Sequence, residues 1–214
     1  MSALPSLPAD LQQRLHRLLT QAGGRRCLLG IVGPPGAGKS TLAAALQSAS
    51  PVPSQVVPMD GFHLANSELV RLGRSHRKGA PDTFDADGFV ALLKRLRQQS
   101  VTETVYAPEY RREIEEAVAG AVAIPPTVPL LIVEGNYLLL DEDPWTSIAA
   151  LLDETWYLNV DNTLRRQRLT ARHEHFGRSP QAARAWAEQT DEPNARRIAA
   201  CKSRAQYQAC WNTP

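Results

Sequence analysis

Cys27-Leu28-Leu29-Gly30-Ile31-Val32-Gly33-Pro34-Pro35-Gly36-Ala37-Gly38-Lys39-Ser40-Thr41 is an apolar run that passes through a glycine-rich turn into an alanine-rich segment. Cys27 to Val32 is short, apolar and bounded by glycine, the pattern of a strand buried on both faces. Gly33 to Thr41 fits GxxxxGK followed by Ser or Thr, the Walker A phosphate loop. Its glycines let successive backbone N–H groups curl toward a phosphate, and the following helix adds the positive end of its dipole. Gly33, Pro34, Pro35, Gly36, Ala37, Gly38, Lys39, Ser40 and Thr41 are therefore expected to hold a nucleoside triphosphate. Lys39 would neutralise the β- and γ-phosphates, Ser40 would offer its hydroxyl to Mg²⁺, and Thr41 would reach the α-phosphate. A plain glycine-rich turn with one exposed lysine is the alternative, and the strand-loop-helix setting speaks against it.

Outward from this loop the chain alternates strands and helices. Val56-Val57-Pro58-Met59, Leu130 to Val133 and Thr155 to Val160 read as further strands. Segments 41–48, 85–99, 163–176 and 180–204 each carry an apolar stripe at helical spacing. The alternation predicts an α/β fold with a parallel sheet, a single-domain P-loop NTPase architecture in which ligands sit at the carboxyl ends of the strands. Leu7, Leu11, Leu15, Leu18 and Leu19 share one face of a first helix that stops at Gly23 and Gly24, and Ile124 to Pro129 reads as a loop. One domain is expected over 1–214: an N-terminal helix (1–24), a nucleotide-binding core (25–160), and an arginine-rich lid with C-terminal helices (161–204).

Composition narrows the partners. With 24 basic against 22 acidic residues, the net charge of +2 gives no broad electrostatic footprint for nucleic acid. Cys27, Cys201 and Cys210 are odd in number and have no CxxC spacing, which argues against a disulfide framework and a zinc site. No apolar run approaches the ~20 residues that span a bilayer. A soluble cytoplasmic protein is expected; a homodimer is compatible with the composition, which does not select it.

Asp60 follows the second strand directly, at the sheet edge that also carries the phosphate loop. A carboxylate there can orient an acceptor hydroxyl and take its proton as phosphorus is attacked. Asp60 can instead cap a turn with Gly61. Arg77 and Lys78 form a cationic step that either touches an anionic acceptor or is solvated. Asp82 or Asp85 can cap the next helix. Glu134 ends the third strand, where a Walker B carboxylate would reach Mg²⁺; pairing with an arginine is the structural alternative. Arg165, Arg168 and Arg172 share one face of a helix, as a lid closing on a triphosphate would require and as a solvated charged face would also show. Pro193 is expected to break the last helix, which could return Asn194 toward the nucleotide.

With the phosphate loop, Met59-Asp60-Gly61-Phe62-His63 with Asn66, Arg77 to Asp85 (RKGAPDTFD), and Val133-Glu134-Gly135-Asn136-Tyr137-Leu138-Leu139, nearly the whole chain resembles the P-loop metabolite kinases. That family includes uridine kinase, type I pantothenate kinase, phosphoribulokinase and sugar-kinase-like relatives. The resemblance implies ATP and Mg²⁺ as cofactors, a small-molecule hydroxyl as acceptor, and Asp60 as its base. It implies catalytic roles for Lys39, Arg168 and Arg172, metal contacts from Ser40 and Glu134, and acceptor contacts from Phe62, His63, Asn66, Arg77, Lys78 and Tyr106. Tyr106 to Arg112 lies where the family recognises its acceptor but lacks the histidine associated with pantothenate. Tyr106 and Tyr110 can stack on a ring or pack in the core. His173 and His175, at i and i+2, do not share a helix face and make a poor metal pair. A guanine switch protein would need an NKxD sequence, which is absent. A regulatory P-loop protein without turnover remains the alternative class.

Overall fold

The computed structural model describes residues 5–211. Along the chain lie α1 (Ala9–Ala22), β1 (Cys27–Val32), α2 (Lys39–Ala49), β2 (Ser54–Pro58), α3 (Asn66–Arg71) and α4 (Ala86–Arg97). A hairpin follows, β3 (Val105–Arg111) and β4 (Glu116–Ile124), then β5 (Leu130–Gly135) and β6 (Glu154–Asn159). The C-terminal part holds α5 (Asn162–His175), α6 (Pro180–Trp186), α7 (Glu192–Ala200) and β7 (Tyr207–Cys210). The main sheet has the order β2-β5-β1-β6-β7 and every pair in it is parallel.

Strand alternation divides the interior into two cores. Cys27, Leu29 and Ile31 of β1 join Leu130 and Ile132 of β5 and Trp156 and Leu158 of β6 on one face, beneath Leu11, Leu15 and Leu18 of α1 and Leu42 and Leu46 of α2. Leu28, Val32, Leu131, Val133 and Tyr157 face the other way, against Phe89, Leu93 and Leu96 of α4. Both faces are covered, so β1 and β5 are buried along their whole length. Gly23, at φ 59°, ends α1 in the left-handed region.

The structure departs from the sequence expectation in five places. The second strand begins earlier, at Ser54, and Met59 belongs to the 3₁₀ turn Met59–Phe62 that follows it. The hairpin β3–β4 occupies a stretch whose alanines and charges give no apolar alternation. Ile124 closes β4, leaving only 125–129 as the loop. The helix expected over 180–204 is three pieces: α6, a π turn at Ala187–Asp191, and α7. Pro193 sits in the first turn of α7, where its missing N–H is harmless, and the wider π turn before it gives the ring room. β7 is a four-residue edge strand too short to announce itself.

Two local devices fix the parts around the site. Arg26 donates to the carbonyls of Val128, Pro125 and Pro126, each at 2.9 Å, and to Leu96 O at 3.3 Å, tying the loop before β5 to the end of α4. Gly61 lies directly under the hairpin: a Cβ there would stand 2.3 Å from Pro108 O, a backbone atom that cannot swing aside. Arg26→Ala is expected to lower unfolding stability by about 2–4 kcal/mol in urea denaturation, because it strands several carbonyls at once. Gly61→Ala is expected to cost more than about 2 kcal/mol and to expose the hairpin to limited proteolysis. Unchanged proteolysis would show that the turn and hairpin do not depend on this contact.

Candidate active site

Parallel register delivers three chain segments to one edge. Glu134 of β5 lies between Ile31 of β1 and Pro58 of β2, so the phosphate loop, two residues beyond Ile31, and Asp60, two beyond Pro58, flank its carboxylate. The cleft they border has a volume of about 310 Å³. Lys39, Ser40, Asp60, His63, Asn66, Lys78, Glu134 and Arg172, all singled out in the sequence, line it.

The phosphate loop has the form its glycines allow. Gly36 and Gly38 adopt φ 80° and 93°, in the left-handed region. Gly38 is the N-cap of α2 and no side chain caps that helix, so its first-turn N–H groups point at the loop mouth, as a phosphate site requires. Lys39 Nζ donates to Asn136 Oδ1 at 2.6 Å and to Pro34 O at 3.3 Å, holding the ammonium across the mouth. Burial lowers its pKa to about 8, against the opposing pull of Glu134 and Asp60. Ser40 Oγ donates to Glu134 Oε1 at 3.3 Å. Burial, and next the Asp60 charge, push the Glu134 carboxyl up.

Asp60 occupies the 3₁₀ turn after β2. Burial alone would raise its carboxyl; the positive neighbours outweigh burial and hold it below the ordinary aspartate value. His63 is the foremost of these neighbours, although burial lowers its own ring, and Arg112, Lys39 and Arg172 follow. Arg112 Nη2 reaches Asp60 Oδ2 at 3.3 Å. His63 fixes the turn by a 2.7 Å contact of Nδ1 with Asp60 O, and its ring stacks on Tyr110 at 4.6 Å. Lys78 Nζ donates to Asn66 Oδ1 and to Glu115 O, each at 2.6 Å.

Three residues expected at the acceptor lie elsewhere. Phe62 packs on Phe89, ring centroids 5.1 Å apart, against the core. Arg77 turns back to Asp82 at 2.7 Å. Tyr106 is 59% exposed on the outer face of β3. Tyr110, Arg112 and Asn136 line the cleft instead. Strict alternation would put Tyr106 and Tyr110 on one face, but the register slips between Ala107 and Glu109, so Tyr106 points out while Tyr110 and Arg112 point in.

Helix α5 carries the arginines differently from a uniform face. Arg165 is buried, donating to Glu192 Oε2 at 2.5 Å and to Pro35 O at 3.5 Å, and so serves as an anchor to the phosphate loop. Arg168 stands over that loop, an Nη 3.8 Å from where a Gly38 Cβ would be. Arg172 faces Asp60 and Glu134 across the cleft. His173 contacts Asp191 at 2.7 Å, and His175 lies against Phe176. Buried Asn194 approaches Gly79 O at 3.5 Å, on the acceptor side.

No group of three or more His, Cys, Asp or Glu able to hold a metal occurs among the described residues. The hydroxyl of Ser40 and carboxylate of Glu134 are hard oxygen donors that suit Mg²⁺ carried in with phosphates, which supply the remaining ligands. Among the described residues no helix is long and apolar enough to cross a membrane.

Comparison with known proteins agrees with this arrangement. A kinase-like ATP-dependent protein of Aspergillus versicolor, notR', is 41% identical over 133 residues, 59% of this chain and 77% of its own. A protein of Schizosaccharomyces pombe provisionally named uridine kinase is 38% identical over 174 residues, 77% of this chain and 72% of its own. The crystal structure of a provisionally named fructose transport system kinase from Silicibacter sp. TM1040 superposes with a TM-score of 0.86 at 38% identity, covering 99% of this chain and 100% of that one. The sequence profile of the phosphoribulokinase / uridine kinase family matches residues 28–207, and the chain belongs to that family of P-loop kinases.

Proposed function

We propose that this kinase transfers the γ-phosphoryl group of ATP to a hydroxyl of a small metabolite, with Asp60 as the base. One observation carries it: a carboxylate held ionised by surrounding cations lines the same cleft as the phosphate-loop lysine. A regulatory P-loop protein has no use for such a carboxylate at that place, where burial alone would favour the neutral acid.

The residues divide the work by position. Backbone N–H groups of Gly36 to Thr41 and the Lys39 ammonium bind the triphosphate, and its anionic oxygens reverse the burial that lowers Lys39. Ser40 and Glu134 would hold Mg²⁺, which would supply charge neutralisation of the phosphates. Asp60 orients the acceptor O–H and takes its proton as the new O–P bond forms and the bond from the γ-phosphorus to the bridging oxygen breaks, releasing ADP. Arg168 and Arg172 stabilise the negative charge of the transferring group. The names of the two relatives bring hydroxyls of nucleosides, sugars and their anionic derivatives forward as acceptors.

Asp60→Asn is expected to lower acceptor-dependent ADP release roughly 100- to 10,000-fold while leaving Mg-ATP affinity within about twofold. Lys39→Met is the blank that loses nucleotide binding. Near-normal turnover in Asp60→Asn would remove the carboxylate from the chemistry. In the same assay Tyr106→Ala is expected to leave the acceptor KM unchanged and Tyr110→Ala to raise it.

A further inference from the structure

The part of the cleft beyond Asp60 is built from the hairpin and the turn before α4, and two cations border a single ring there. Lys78 Nζ lies 5.2 Å and the Arg112 guanidinium 5.8 Å from the centroid of Tyr110, whose other neighbour is the His63 ring. Lys78 is bound by an amide oxygen and a backbone carbonyl, both uncharged, which accounts for two of its three N–H groups. Its nearest acids are Glu115 and Glu116, and Glu116 accepts from the Asn66 backbone N–H. Arg112 has Asp60 as its partner, the carboxylate that an incoming hydroxyl must engage. A neutral acceptor would leave Lys78 partly desolvated and keep Arg112 competing for the base. An acceptor with its own negative charge relieves both conditions.

We infer that the acceptor carries an oxyanion, a carboxylate or a phosphate monoester, which Lys78 and Arg112 recognise beside Tyr110, drawing Arg112 off Asp60 as the hydroxyl arrives. Burial lowers Lys78 from its ordinary value, so the site holds that cation at a cost which a bound anion removes. Glu115 also borders this part of the cleft and disfavours polyanions, which suits a single anionic group. The inference rests on the kinase reading above for the hydroxyl and on the hairpin geometry for the anion.

Two measurements separate these. The first uses matched acceptor pairs with Mg-ATP: glycerate against glycerol, pantothenate against pantothenol, and ribulose 5-phosphate against ribulose. Turnover confined to charged members is expected, and the carboxylate and phosphate pairs distinguish the two anions; equal kcat/KM for a neutral member would overturn the inference. The second needs no turnover. Glycolate, with a single carboxylate, and inorganic phosphate are titrated calorimetrically into protein saturated with Mg and a non-hydrolysable ATP analogue, so that the phosphate loop is already filled. Binding of one of them by the wild type is expected, weakened roughly 10- to 100-fold in both Lys78→Met and Arg112→Gln. No binding to the wild type, or equal binding by the variants, would overturn the inference. Anion binding without phosphoryl transfer to any acceptor would instead count against the kinase reading and leave the anion site standing.

Discussion

Lys39, Asp60, Glu134 and Arg112 share one partly dehydrated volume, and their mutual attraction is the constraint around which the rest of the molecule is arranged. Lys39, Asp60 or Glu134 alone at this depth would be neutralised by a shifted pKa or would open the structure to water. Two cations and two carboxylates interleaved can stay. The balance is uneven: Asp60 is held ionised while Glu134, deeper and next to it, is pushed toward the neutral acid. Neighbouring carboxylates resist ionising together, and the cations around them favour the ionised form of the one nearest to them, Asp60.

The parallel register is what makes such a cluster affordable in a 214-residue chain. Glu134 hangs on a fully buried strand flanked on both sides, and its neighbours contribute groups from just beyond their own last paired residues. No long loop has to be ordered to assemble the carboxylates and the lysine. This half of the site was legible in the sequence, because each residue directly follows an apolar strand and the phosphate loop is a local pattern. The existence of the sheet, its parallel sense and its four longest strands followed from the same alternation.

The acceptor half was far less legible, for reasons that are physical. β3 and β4 pair only with each other, so they need no continuous apolar face and leave no period-2 signal. The register slip after Ala107 exchanges inside for outside within the strand, which turned the choice between Tyr106 and Tyr110 the wrong way. Arg112 meets Asp60 across 52 positions of sequence, and no local spacing reveals such a contact. Phe62 and Arg77 were misled by proximity: each sits beside cleft residues in sequence, but Phe89 and Asp82 offer them nearer partners.

The arginine helix shows how one spacing can serve two purposes. A lid that swings as a whole would have its first arginine free, yet Arg165 is buried between Pro35 O and Glu192, and a side chain at Gly36 would strike Leu169 and the Arg165 carbonyl at 2.7 and 2.8 Å. The first half of α5 is therefore part of the phosphate loop's foundation and cannot lift without unpacking it. The second half is less tightly held: Arg172 faces the cleft and the chain passes Gly177 at φ 94° before turning into α6. His173, bound to Asp191 in the π turn, links that half to α7, whose Asn194 reaches Gly79 beside the acceptor region. One helical assembly thus touches the phosphate loop at Arg165 and the turn at Gly79 through Asn194, with Arg165 as its most buried anchor. Arg172, the arginine of α5 that faces Asp60 and Glu134, lies on the less buried side of that fixed point.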